Sequence, residues 1–140
     1  MIVKFEIPGK PTGKGRPQFT RNGHVHAYTP DATESYENLV KLYYKINTHG
    51  AKLNGEIKAS IVAVFPVPKS DSKKKRAQKL EGTIRPTVKP DCDNIAKIVL
   101  DALNHIAYDD DSQVVSLELQ KIYGEEPKTI VTLEELKPLV

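Results

Sequence analysis

The sequence predicts a single α/β (α+β) domain over residues 1–140, with a mixed β-sheet of about five strands and two to three helices packed on it. Residues 2–7 and 57–65 alternate apolar and polar side chains, as strands with one buried face do. Residues 95–106 carry apolar side chains at helical spacing. The chain has 140 residues, 39% of them hydrophobic, which is enough for one core and too few for two.

The strands are predicted from alternation and from the residues that end them. Asn22-Gly23 is a strong two-residue turn signal, so residues 16–28 are predicted to form a β-hairpin. Pro66 ends the strand over 57–65, because proline cannot donate a ladder hydrogen bond. Two further strands are predicted at residues 115–120 and 129–133.

Three helices are predicted, and the third is flanked by acidic residues. The first opens at Thr29-Pro30, and a short second helix begins at Lys73 after the capping residues Ser70-Asp71-Ser72. The third runs from Ile95 to Ile106, with Asp91 or Asp93 capping its start.

Cysteine and hydropathy patterns predict a cytoplasmic protein with no membrane partner. Cys92 is the only cysteine, which excludes an internal disulfide and fits a reducing compartment. No apolar run approaches membrane-spanning length, and the first residues read as a strand and not as a signal peptide.

Charge is distributed unevenly along the chain, although the net charge is only +3. Residues 1–30 carry +4 and residues 66–90 carry +6, whereas residues 91–140 carry −7. This asymmetry favours a polyanion held by basic side chains beside carboxylates that hold a metal ion. The alternative is that the basic residues only keep the surface soluble.

The acidic residues around the third helix favour a hard-cation site. Asp91 and Asp93 stand at its start and Asp109-Asp110-Asp111 follow its end, with Lys97 one turn inside. Neighbouring carboxylates repel one another unless a positive charge lies among them, and Mg²⁺ prefers oxygen ligands. The alternative is a helix cap, an Asp93–Lys97 pair and an exposed acidic turn.

Four stretches of the chain form a recognisable set of motifs. Around the third helix they are Lys89-Pro90-Asp91-Cys92-Asp93-Asn94-Ile95-Ala96-Lys97, Asp101-Ala102-Leu103 and Asp110-Asp111-Ser112-Gln113-Val114, and near the N-terminus the stretch is Gly13 to Thr20. Together they resemble the motifs of the RusA family of Holliday-junction resolvases of bacteria and prophages. Cys92 departs from the larger aliphatic residue usual in the family, and Asp109 adds a third consecutive acid.

The resemblance implies a homodimeric, Mg²⁺-dependent endodeoxyribonuclease that nicks four-way DNA junctions symmetrically, with Mn²⁺ as an alternative cofactor. It implies that Asp91, Asp93 and Asp111 bind the metal and that Lys97 is the essential lysine. Asp110 is a neighbour that competes with Asp111 for the ligand role.

The basic segments are expected to hold the arms of the branched DNA. The expected DNA-binding residues are Lys10, Lys14, Arg16, Arg21, Lys73, Lys74, Lys75 and Arg76. Two alternatives stay open from the sequence. One is a non-catalytic junction-binding module, and the other is a metal nuclease that acts on flaps or replication forks.

Overall fold

A mixed β-sheet forms one layer of the fold and helices form the other. The computed structural model describes residues 1–15, 18–19, 27–28 and 31–138. The elements are β1 (Ile2–Pro8), β2 (Gln18–Phe19), β3 (Ala27–Tyr28), α1 (Asp31–Thr48), β4 (Ile57–Pro66), α2 (Lys73–Glu81), α3 (Cys92–Ala102), a 3-10 helix (Asp111–Gln113), β5 (Val114–Gly124) and β6 (Lys128–Glu135).

The main sheet has four strands in the order β1-β6-β4-β5. β6 is antiparallel to both β1 and β4, whereas β4 and β5 are parallel. The prediction of about five strands was therefore one too many for this sheet, since β2 and β3 pair only with each other. Their antiparallel pairing confirms the predicted hairpin, whose turn at 20–26 lies outside the described residues. β1 and β5 are the edge strands.

Helix α3 is the element that carries the candidate site. Its apolar stripe is buried in the same core as α1 and the sheet, as the periodicity predicted. The predicted end at Ile106 is wrong, because α3 ends at Ala102 and His105 has a left-handed φ of 65°. Asn104 and Tyr108 then form an isolated bridge that closes the turn leading toward β5.

Helix α2 begins as the sequence predicted. The Ser72 hydroxyl accepts a hydrogen bond from the Lys75 backbone N–H at 3.2 Å, which caps the first turn. Gly82 ends the helix with a φ of 87°, a left-handed conformation that glycine adopts without a steric cost. Among the described residues, no helix combines the length and apolar character needed to cross a membrane.

Replacing Ile98 should test how strongly α3 depends on its buried stripe. Ile98 is fully buried, so Ile98→Ala removes apolar contacts and leaves a cavity. We expect the free energy of unfolding to fall by about 2–5 kcal/mol in urea titrations. Leu42→Ala is the matched control, since Leu42 is 50% exposed on α1. A loss as small as that of the control would show that α3 is not held by this stripe.

Candidate active site

One stripe of α3 carries polar side chains at intervals of four residues. Asp93, Lys97 and Asp101 lie on it, and four residues slightly exceed one helical turn. Asp91 precedes the helix as its N-cap residue, but its carboxylate accepts no capping hydrogen bond. Asp91, Asp93 and Lys97 are exposed. The oxygens of Asp91 therefore remain available for a ligand from solvent.

The three consecutive acids after α3 have three different environments. Asp109 pairs with Lys52 at 2.5 Å, and this hydrogen bond lowers its pKa. Asp110 caps the 3-10 helix by accepting from the Ser112 backbone N–H at 3.0 Å, and the Ser112 side chain, followed by this backbone hydrogen bond, lowers the pKa of Asp110. Asp111 differs from both: its backbone N–H donates to Asn104 Oδ1 at 2.8 Å, and burial, followed by the nearby Asp101 carboxylate, raises the pKa of its carboxyl group. Of the two competing residues, Asp111 is therefore the better placed to bind a ligand.

A lysine from the N-terminal loop joins Asp101 to a third carboxylate. The Lys14 ammonium lies 3.2 Å from Glu37 Oε1 on α1 and 3.4 Å from Asp101 Oδ2 on α3. Their side chains are 23%, 17% and 29% exposed, respectively. We call Lys14, Glu37, Asp101 and Asp111 the Lys14 cluster.

The Lys14 cluster carries more negative than positive charge. Burial raises the pKa of the Asp111 carboxyl group, and the nearby Asp101 carboxylate raises it further. The Asp111 backbone N–H donates to Asn104 Oδ1 at 2.8 Å, which fixes the main chain at this position. Two carboxylates, those of Glu37 and Asp101, share the one Lys14 ammonium, and Asp111 adds a third acidic group next to Asp101.

The metal ligands implied by the sequence fall at the two ends of α3. A rise of about 1.5 Å per residue places Asp93 about 12 Å along the helix axis from Asp101, the residue whose carboxylate helps to raise the pKa of Asp111. In residues 1–15 and 31–138, no three His, Cys, Asp or Glu side chains are grouped closely enough to hold a metal ion. A single chain thus brings Asp91 and Asp93 to one end and Asp111 to the other.

A groove with basic walls runs beside Asp91. It has a volume of about 700 Å³ and lies between the loop over residues 10–14 and the start of α3. Lys10 and Lys89 line it together with Asp91. The Lys14 backbone N–H donates to the Asn94 carbonyl at 3.1 Å, and a Cβ on Gly13 would lie only 2.8 Å from Pro90 Cβ. The loop is therefore held tightly against α3.

The basic run of α2 is exposed along its first turn. Its members are Lys73, Lys74, Lys75 and Arg76. The helix is anchored by Lys79, whose ammonium lies 2.5 Å from Asp71 and 4.7 Å from the centre of the Tyr123 ring on β5. The hydrogen bond with Asp71 raises the pKa of Lys79. This anchor fixes the basic run beside the second half of β5.

The other expected DNA-binding residues differ in their surroundings. Lys10 lines the groove, whereas the Lys14 ammonium is directed into the Lys14 cluster. Arg16 and Arg21 lie outside the described residues. Sequence reasoning assigned no role to Asp101, Glu37 or Lys89. Asp101 could have been found from its place on the polar stripe of α3, but no local signal marks Glu37.

Comparison with known proteins identifies the family. The chain is 40% identical over 137 residues to a protein named Uncharacterized protein YqaN from Bacillus subtilis (strain 168), and the alignment covers 96% of each chain. A family profile described as endodeoxyribonuclease RusA matches residues 8–134. That match contains α3, the acidic turn after it and most of the N-terminal loop. The chain therefore belongs to the RusA family of endodeoxyribonucleases.

Proposed function

We propose that this chain is a Mg²⁺-dependent endonuclease of the cytoplasm that works as a homodimer and resolves four-way DNA junctions by paired symmetric nicks. Mn²⁺ is the alternative cofactor. The observation that carries the proposal is the groove at the start of α3, where the uncommitted Asp91 carboxylate lies beside Lys10 and Lys89. A metal-binding group next to phosphate-binding groups is what phosphodiester hydrolysis requires.

The exposed side chains at the start of α3 have chemically distinct tasks in this proposal. Asp91 and Asp93 supply the oxygen ligands that Mg²⁺ prefers. The bound cation would supply a nucleophilic water at neutral pH and offset negative charge on the phosphate. Lys97, one turn from Asp93, carries an ammonium group that neutralises charge developing on the scissile phosphate.

The direction of β5 explains how Asp111 can serve a site that also contains Asp91 and Asp93. Asp111 is the first residue of the short 3-10 helix just before β5, whereas Cys92 at the start of α3 lines one pocket together with Leu119 and Ile122 in the second half of that strand. Helix α3 and strand β5 therefore run in opposite directions. β5 is an edge strand, and an unpaired strand edge is a ready surface for a second copy of the same chain.

A two-fold axis beside β5 would complete the proposed centre. Antiparallel pairing of two β5 strands near Leu117 brings Asp111 of the partner subunit toward the start of α3, where Asp91 and Asp93 lie. Val115 and Leu117 are 58% and 47% exposed and share one face of β5, so this pairing would also cover apolar surface. Such an isologous dimer carries two equivalent centres, as two opposed nicks require.

The decisive test is a nicking assay on matched synthetic substrates. We expect Mg²⁺-dependent cuts at symmetric positions in a mobile four-way junction, and far slower cutting of a flap and of a linear duplex of the same sequence. Asp91→Asn should abolish nicking while junction binding in Ca²⁺ persists. If the original chain binds the junction without nicking it, and Asp91→Asn binds it equally well, the non-catalytic module is favoured. Preferred cutting of the flap would favour the fork or flap nuclease.

A further inference from the structure

We propose that the side-chain amides of Asn104 and Gln113 are positioning groups, which hold the main chain of the acidic turn over residues 109–113 so that Asp111 is presented to a metal ion. The inference rests on the proposed function, in which Asp111 is a metal ligand. It assigns a role to two neutral side chains, and neither of them would itself touch the metal or the DNA.

Gln113 binds two consecutive backbone N–H groups of the acidic turn. Its Oε1 accepts from the Asp109 N–H at 2.9 Å and from the Asp110 N–H at 3.1 Å. Its Nε2 donates to the Gly55 carbonyl at 3.1 Å, in the loop that leads into β4. Because β4 and β5 are parallel neighbours that begin side by side, this bond ties the acidic turn to the adjacent strand.

Asn104 binds the next N–H group and ties the acidic turn to α3. Its Oδ1 accepts from the Asp111 backbone N–H at 2.8 Å. Asn104 lies just past the end of α3, where its own backbone N–H donates to the Asp101 carbonyl at 3.2 Å and the adjacent Leu103 is fully buried. The amide of Asn104 therefore projects from a main chain that is itself held in place.

The acidic turn thus has a partner for each of five consecutive N–H groups, those of residues 109–113. The last two are accepted by Asp110, whose Oδ2 binds the Ser112 N–H at 3.0 Å and whose carbonyl binds the Gln113 N–H at 3.1 Å. A main chain held in this way fixes the direction of the Cα–Cβ bond of Asp111, so rotation of the side chain is its remaining freedom.

Amides suit this supporting task better than charged groups do. An amide supplies an acceptor oxygen and a donor nitrogen, and Gln113 uses both. It carries no positive charge that would repel a cation and no negative charge that would draw the cation away from Asp111. Groups that support a metal ligand typically change metal affinity or activity by about 10–100-fold when they are removed.

The first test measures metal affinity separately from the chemical step. Asn104→Leu and Gln113→Met roughly keep the side-chain size but remove the acceptor. We expect the Mg²⁺ concentration for half-maximal nicking to rise about tenfold or more, with the rate at saturating Mg²⁺ nearly preserved. Titration of Mn²⁺ into the protein without DNA should show a matching loss. Asn47→Leu is the control and should shift neither curve, because its amide bonds to the Tyr43 carbonyl on α1.

The second test follows the backbone amides by hydrogen exchange in the metal-free protein. In Gln113→Met, the amide protons of Asp109 and Asp110 should exchange about fivefold faster, as the loss of a hydrogen bond of ordinary strength implies. In Asn104→Leu, the same change should appear at Asp111. Asn104→Asp keeps an acceptor oxygen at the same position, so it should restore the original exchange rate at Asp111.

Original Mn²⁺ affinity in both Asn104→Leu and Gln113→Met would overturn the inference, provided that Asp111→Asn loses Mn²⁺ affinity and nicking. Unchanged exchange at residues 109–111 would overturn it as well. If Asn104→Leu does not fold, Gln113→Met decides alone, since Gln113 is only partly buried. If Asp111→Asn itself binds Mn²⁺ and nicks normally, the proposed role of Asp111 fails and not only that of the two amides.

Discussion

Asp91→Asn protein mixed with Asp111→Asn protein should nick one strand of a four-way junction, although each variant alone is inactive. The expectation follows from α3, whose two ends separate Asp91 from Asp111 within one chain. If each centre takes Asp91 from one protomer and Asp111 of the partner subunit, a mixed dimer has one centre with both substitutions and one centre with none. The intact centre cuts, and the second cut is missing.

The measurement is denaturing electrophoresis of a junction labelled on each strand in turn, after the variants are mixed and allowed to exchange subunits. The control is a mixture of Asp91→Asn with Asp93→Asn. These residues lie at the same end of α3, so every centre of the mixed dimer stays damaged and no nick is expected. Absence of nicking in both mixtures, with subunit exchange verified, would mean that each centre is built within one chain.

Replacement of Lys97 should have the second largest effect on catalysis. Lys97→Ala removes the ammonium expected to face the scissile phosphate, and we expect the single-turnover nicking rate to fall by about a hundred- to a thousandfold. The fold should persist, since Lys97 is exposed on α3. The rate is measured with saturating Mg²⁺ and excess enzyme, and junction affinity is measured separately in Ca²⁺.

Lys45→Ala gives the matched control, because it removes an exposed lysine from α1, away from the acidic stripe of α3. A nicking rate for Lys97→Ala equal to that of the control would remove Lys97 from the active site. A fall in junction affinity that accounts for the whole effect would instead give Lys97 a binding role only.

The periodicity of the sequence was sufficient to place most helices and strands. Burial of Ile95, Ile98 and Val99 follows directly from their helical spacing. Strand order could not be predicted, because β6 lies between β1 and β4 through pairings between distant residues. The end of α3 was also missed, since the left-handed turn at His105 has no glycine to mark it.

The candidate site was only partly predictable for a related reason. Asp91, Asp93, Lys97 and Asp111 stand in one continuous stretch whose charge pattern is visible in the sequence. Lys14 and Glu37 are 23 residues apart along the chain, and both lie far from Asp101, so only the packing of α1 on α3 brings them together.

The close packing of Gly13 on Pro90 has a consequence for how DNA is accommodated. The loop is already held to α3 by a backbone hydrogen bond and by close packing, so it has little freedom to change conformation around a DNA strand. For the same reason, ordering the loop costs little entropy on association. Where this loop contacts DNA, as we propose, adaptation falls on the nucleic acid, whose bending energy depends on its base steps. A protein with this rigid loop would discriminate between target sites through DNA flexibility, even where no side chain touches a base.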